Sequence, residues 1–263
     1  MSRIPSIFKR QKTTGEKVNI AYITPEYPFK NITVPLAKML SENNVHILEI
    51  GVPFSDPLAD GPTIQHSSFK SLQHNTDLKM IFSFVKKIRE SSEVGIVLMS
   101  YINPILSFGV ENFLDYAVES GVDGVIIPDL PFDEIDFVKP DFDKKGVDLI
   151  LLAAPTSPVE RLKAIASNSS GFIYCVSVTG VTGAQKSDYI DNSTLDFLNK
   201  IRTVSSLPIA IGFGLSKKAQ LAKLFEHTDG FIIGSALINS MEQADNVDNA
   251  VMMAKCFINN VFK

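Results

Sequence analysis

The sequence predicts a (β/α)8 barrel, a TIM barrel, formed by the whole chain 1–263 as one domain with an extra helix at its N-terminal end. Three observations predict it. Eight short aliphatic or β-branched runs alternate with helix-like segments, and 263 residues is close to the usual size of such a barrel. The runs are almost continuously apolar, as parallel strands are when both of their faces are covered. The polar residues suited to chemistry gather at or near the ends of those runs, which is the face where this barrel carries its site.

The first 17 residues hold Arg3, Lys9, Arg10, Lys12 and Lys17 against Glu16. They lack an apolar centre, so they do not read as a secretory signal. A transit peptide would suit the charges, but the first strand follows at once. A short surface helix with Ile4, Ile7 and Phe8 on one face is expected. Strands are expected over 19–24, 47–52, 95–101, 124–129, 148–154, 172–178, 208–214 and 230–235. Helices are expected over 34–43, 64–89 with a break near Asn75, 111–120, 133–145, 158–169, 193–204, 217–226 and 243–261. Right-handed crossovers close eight such units most simply into a barrel. An open doubly wound sheet would want a glycine-rich turn after the first strand, and none occurs near Thr24.

Composition narrows the function. A formal net charge of −4 carries no nucleic-acid footprint. No apolar run approaches the ~20 residues that span a bilayer. The two cysteines, Cys175 and Cys256, stand apart from each other and from any metal-ligand pattern. They read as free thiols in a reducing cytoplasm. The four histidines show no ligand spacing, so no metal is expected.

The run LEIGVPFSDPLADGPTIQ at residues 48–65 is the most informative stretch. It reads as a strand, a loop stiffened by Pro53, Pro57 and Pro62, and a helix start. By the two-residue period of a strand, Ile47, Glu49 and Gly51 share one face and Leu48, Ile50 and Val52 the other. The second set is wholly apolar and suits packing against helices, so Glu49 points into the barrel. An apolar interior raises a carboxyl pKa and suits it to pass protons near neutrality. Asp60 precedes Gly61-Pro62, and its residue type leaves two readings open, turn chemistry or function. Asp56-Pro57 has the same ambiguity and reads first as a structural pair.

Two glycine motifs suggest an anion cradle. Gly212-Phe213-Gly214 ends the seventh strand, and Gly234-Ser235 ends the eighth before a short helix expected over 235–239. Backbone N–H groups there suit a phosphate. The segment from Thr179 through Gly183 to about Asn192 reads as a loop able to close over a substrate. The residues alone thus give a barrel enzyme acting on a phosphorylated small molecule by acid-base chemistry.

Residues 15 to about 240 also resemble the tryptophan synthase α-subunit family. The likeness rests on the 48–65 run and on Tyr101-Ile102-Asn103-Pro104, Gly121-Val122-Asp123-Gly124, Asp129-Leu130-Pro131, Ser177, Gly180-Val181-Thr182-Gly183-Ala184, Gly212-Phe213-Gly214 and Gly234-Ser235-Ala236, in that order. It implies a lyase that cleaves indole-3-glycerol phosphate to indole and glyceraldehyde 3-phosphate by a retro-aldol step, without a cofactor of its own. Glu49 would move protons at indole C3 and the glycerol hydroxyl. Asp60 would pair with the indole nitrogen as it becomes positive, and Tyr174 would stand close by. Tyr22, Met99, Ile126 and Phe213 would flank the indole, and Ile64 the phosphate end. Gly183, Gly214, Gly234 and Ser235 would hold the phosphate. The partner implied is a β-subunit carrying pyridoxal phosphate, in an αββα heterotetramer, met through Pro53, Asp56, Pro57 and Asn103.

The chain departs from the family pattern in three places. Thr24-Pro25-Glu26-Tyr27-Pro28 replaces a glycine-containing turn after the first strand, Asn44-Val45-His46 replaces Gly-Ala-Asp before the second, and Val178 stands where some members have arginine. Two other readings use the same barrel. One is a regulatory subunit with poor turnover of its own, against which Glu49 and Asp60 both argue. The other is a different phosphate-binding barrel such as a sugar-phosphate isomerase.

Overall fold

In the computed structural model, which describes residues 2–176, 192–212 and 214–262, parallel strands alternate with helices along the chain. The strands are β1 (Val18–Ile23), β2 (Ile47–Gly51), β3 (Gly95–Met99), β4 (Gly124–Ile126), β5 (Asp148–Ile150), β6 (Leu152–Ala153), β7 (Ile173–Val176), β8 (Ile209–Gly212) and β9 (Gly230–Ile233). Their order across the sheet is β5-β4-β3-β2-β1-β9-β8-β7-β6, and every pairing is parallel. The two ends of that sheet, β5 and β6, are consecutive pieces of one expected strand, so the sheet meets itself there as a barrel. The interruption has an identifiable cause. The Leu151 N–H is taken by Ser169 Oγ at 3.2 Å, outside the ladder, while its carbonyl still accepts from Tyr174 N at 3.0 Å.

Alternation along β2 sorts side chains as the period demands. Leu48 and Ile50 pack outward in the layer between strands and helices, and Ile47 packs inside the barrel. The helix expected over 64–89 is two helices, Pro62–Gln73 and Leu78–Arg89, parted at Asn75 with φ 61°. The one expected over 133–145 is also two, a 3-10 turn Phe132–Phe137 and a helix Lys139–Lys145. Pro140, with no N–H to donate, sits in the first turn of the second piece, where it is tolerated. A helix Ile102–Phe108 was not expected. Asp129 Oδ1 accepts from Ile102 N at 2.9 Å and satisfies one of its free amides.

The N-terminal helix Ile4–Thr14 is not the surface helix expected from its sequence. Its apolar face is right, but Ile4, Ile7 and Phe8 are 0–5 % exposed and close the barrel from below, with Phe8 5.5 Å from Phe172 between ring centroids. Asp123 anchors this plug. Its Oδ1 accepts from Arg3 N at 2.9 Å and Arg3 Nη1 at 3.1 Å, and its Oδ2 from Arg89 Nη2 at 2.7 Å and Ile96 N at 2.8 Å. One buried carboxylate thereby ties the plug to β3 and to the helix before it. Asp123→Ala would leave the Arg89 side chain, 11 % exposed, beside an empty site. The expected loss is about 3–5 kcal/mol, read from urea unfolding, and a loss under about 1 kcal/mol would contradict the anchoring role.

Candidate active site

The site is built where the strands end, opposite the plug. β2 carries Glu49 inward, 1 % exposed, and neither carboxylate oxygen has a hydrogen-bond partner among the described residues. Burial, and then the charge of Asp60, push its pKa up to about 8. Asp60 lies half-buried in the loop after β2. Burial pushes it up to about 6, against a hydrogen bond from Tyr101 that favours the anion. Two carboxyls of one site are thus separated in pKa, and the deeper one holds its proton near neutrality.

Two tyrosines flank them. Tyr22 on β1 and Tyr174 on β7 are each 8 % exposed, and burial holds both phenols well above their ordinary pKa. Each ring lies across a glycine of the next strand. A Cβ at Gly51 would stand 1.9 Å from the Tyr22 hydroxyl oxygen, and one at Gly212 would stand 2.7 Å from that of Tyr174. Those positions admit no side chain while the rings stay in place.

A cavity of about 280 Å³ collects these groups. Of the residues expected at the site, Tyr22, Glu49, Asp60, Ile64, Met99, Tyr174, Gly214, Gly234 and Ser235 line it. Ile126 does not. It is fully buried in the packed barrel interior with Val97 and Ile150. Gly183, Phe213 and Val178 lie outside the described residues. Leu152, Leu215 and Ile232 also line the cavity and were missed. Alternation within an apolar strand does not reveal which inward residue reaches the mouth. Gly214 has φ 64°, and Gly234 precedes the helix Ser235–Ser240. A Cβ at Gly234 would meet Tyr22 Cβ at 3.3 Å.

The departure after β1 has its own architecture. Glu26, at φ 57° and 3 % exposed, accepts from Asn31 N at 2.6 Å and Thr33 Oγ1 at 2.7 Å. The loop after β2 also faces outward. Asp56 and Asn103 share a groove of about 480 Å³ with Phe54, Leu58, Ala59, Tyr101 and Asp129. Leu58 is 92 % exposed there and was not anticipated. Pro57 is half-buried, and Pro53, expected on this face, is buried beneath it.

Among the described residues no cluster of His, Cys, Asp and Glu could hold a metal ion, and no helix is long and apolar enough to cross a membrane. Barrel and site together define an acid-base enzyme whose cavity joins an apolar wall to a glycine-lined mouth. The family model described as tryptophan synthase alpha chain matches residues 8–263. The tryptophan synthase alpha chain of Petrotoga mobilis is 41 % identical over 243 residues, 92 % of each chain. That of Thermoanaerobacter sp. is 39 % identical over 261 residues, 99 % of this chain and 98 % of its own. The crystal structure of tryptophan synthase subunit alpha from Legionella pneumophila superposes with a TM-score of 0.91 at 31 % identity, covering 99 % of this chain and 97 % of that one. A structure of the tryptophan synthase a2b2 complex from Pyrococcus furiosus matches with a TM-score of 0.86 at 36 % identity, covering 93 % and 97 %. The chain belongs to the tryptophan synthase alpha chain family, and with it to the lyases of tryptophan biosynthesis.

The pKa of Glu49 makes a stability prediction. The native state keeps a proton that the unfolded chain releases near pH 4.5, so between about 4.5 and 8 the native state binds more protons. Stability therefore falls as pH rises through that window, by at most roughly 1.4 kcal/mol per unit from this group. Glu49→Gln removes that contribution. Denaturant unfolding from pH 5 to 9 should show the variant gaining on the wild type as pH rises. A constant difference across the range would contradict the buried, protonated carboxyl.

Proposed function

We propose that Glu49 and Asp60 carry the lyase reaction of this chain, the retro-aldol cleavage of indole-3-glycerol phosphate to indole and glyceraldehyde 3-phosphate. The observation that supports it most is the Glu49 carboxyl, buried without a hydrogen-bond partner among the described residues, protonated near neutrality and set in one cavity with Asp60. The protonated carboxyl gives its proton to indole C3, which breaks the ring's conjugation and leaves a positive charge on the indole nitrogen. The Asp60 anion faces that charge and lowers the barrier to forming it. The Glu49 carboxylate then takes the proton of the adjacent glycerol hydroxyl. The carbon-carbon bond breaks, its electron pair returns to the ring, and the aldehyde leaves. Glu49 ends protonated, ready for the next turnover, and the chain needs no cofactor of its own.

Tyr22, Met99 and Tyr174 would wall the indole, and Ile64 would stand at the phosphate end. The N–H groups around Gly214, Gly234 and Ser235 would take the phosphate. The partner is a β-subunit with pyridoxal phosphate, in an αββα assembly. Indole is small and apolar, so direct transfer keeps it from leaking away. The face carrying Asp56, Pro57, Leu58 and Asn103 suits that docking, and three prolines limit the ordering entropy the loop after β2 loses on contact.

One assay tests this reading, cleavage of indole-3-glycerol phosphate with and without added β-subunit. The wild type should turn over alone and faster with the partner. Glu49→Gln should lose about 10²–10⁴-fold or more in kcat with binding retained. Gly234→Asp should raise KM sharply, because a carboxylate enters the phosphate end. Near-native kcat in Glu49→Gln would contradict the assignment.

A further inference from the structure

Asp60 sits on the loop after β2 rather than on a strand, so its place is set by whatever holds that loop. An anion that must face a developing charge works best when it is held before the charge appears. Residues 57–60 form a tight turn in which Asp60 N donates to Pro57 O at 3.0 Å. A turn closed on itself can still shift as a unit. Two bonds from outside oppose that shift. Ala59 N donates to the Tyr101 hydroxyl at 2.9 Å, and the Gln65 side chain reaches back from the helix Pro62–Gln73.

The Gln65 bond lands on Asp60 itself. Its Nε2 donates to the Asp60 carbonyl at 2.8 Å and, at a longer 3.5 Å, to the Pro57 carbonyl. An amide NH2 has two hydrogens, so one group serves the first and last residues of the turn. The helix behind it is anchored. On its inward face Ser67 and Ser71 are 0 % exposed and Ser68 is 4 % exposed. Ser67 Oγ lies 2.7 Å from Thr24 Oγ1 just past β1, and Ser71 Oγ donates to Pro25 O at 2.6 Å. Ser68 Oγ accepts from Phe54 N at 3.1 Å, in the loop that carries Asp60. Just past the helix, His74 Nδ1 lies 2.8 Å from Glu26 O. Buried hydroxyls with their bonds made fix the helix to the loops after both β1 and β2. The same helix supplies Ile64 to the cavity.

We propose that Gln65 is the positioning residue for Asp60, its side-chain amide pinning the 57–60 turn to this anchored helix. The proposal rests on the role given to Asp60 above. Gln65 does not line the cavity, so its part is played through the turn. Its side chain is exposed, so water competes for the bond and the effect is moderate. Loss of the amide should loosen the turn while Glu49 and the phosphate end stay in place.

The test is Gln65→Met in the full chain, which keeps the length and helix preference of the side chain and removes both donors. Amide hydrogen exchange, read by mass spectrometry without substrate, should quicken about fivefold over residues 57–60 and stay unchanged over 66–73. The cleavage assay should show kcat lower by about five- to tenfold with KM within twofold of the wild type. Gln65→Asn, which keeps the amide on a stem one methylene shorter, should change in the same direction. Unchanged exchange over 57–60, an unchanged kcat, or native behaviour of Gln65→Asn overturns the proposal. Faster exchange along the whole helix overturns it too, because the helix rather than the turn would have loosened. So does a rise in KM alone, which would place Gln65 in substrate binding. A wild type that fails to cleave the substrate defeats the proposed function instead, and the exchange measurement still decides whether Gln65 holds the turn.

Discussion

A carboxyl group buried inside an apolar barrel, with no hydrogen bond to either oxygen among the described residues, is the constraint around which this molecule is arranged. As an anion Glu49 would cost several kcal/mol in such a place. The protein avoids that cost by keeping the proton, and the proton is the reagent. Everything near Glu49 preserves this condition. β2 is flanked on both sides by parallel strands, Gly51 leaves room for the Tyr22 ring beside it, and Tyr174 approaches from across the barrel. Burial and the charge of Asp60 both push its pKa up.

The same barrel isolates that centre from below. The plug of Ile4, Ile7 and Phe8 and the buried Asp123 with its two arginines close the lower end. Rigidity and chemistry are thus divided between the two ends of the strands. The lower end is packed and ion-paired. The upper end carries Asp60 on the loop after β2, and that loop also borders an outward groove.

Much of this was legible in the residues, for identifiable reasons. Strand period placed Glu49 inward because its neighbours on the opposite face were wholly apolar, and glycines at strand ends marked the mouth. Other features depend on contacts distant in sequence. The plug could not be read from the amphipathic 4–14 segment, because an apolar stripe does not say what it will cover. The break in the fifth strand depends on a serine 18 residues away. Asp60 was left open between turn and function because an Asp before Gly-Pro has turn chemistry of its own, and the cavity it lines is assembled from strands distant in sequence. Ile126 was expected at the substrate by likeness to the family, and here its side chain is fully buried in the barrel interior and does not line the cavity. Leu58 went unnoticed because one apolar residue in a loop carries no pattern.

The central claim is that Glu49 is protonated at neutral pH while Asp60, a few residues along the same loop-bearing unit, is ionised. The most direct measurement is a pH titration of protein labelled with carbon-13 at the glutamate side-chain carboxyl, read by NMR with Glu49→Gln for assignment. The account predicts one glutamate resonance, absent from the variant, with its midpoint near 8. A Glu49 resonance that titrates below about 5, as an ordinary glutamate does, would contradict it.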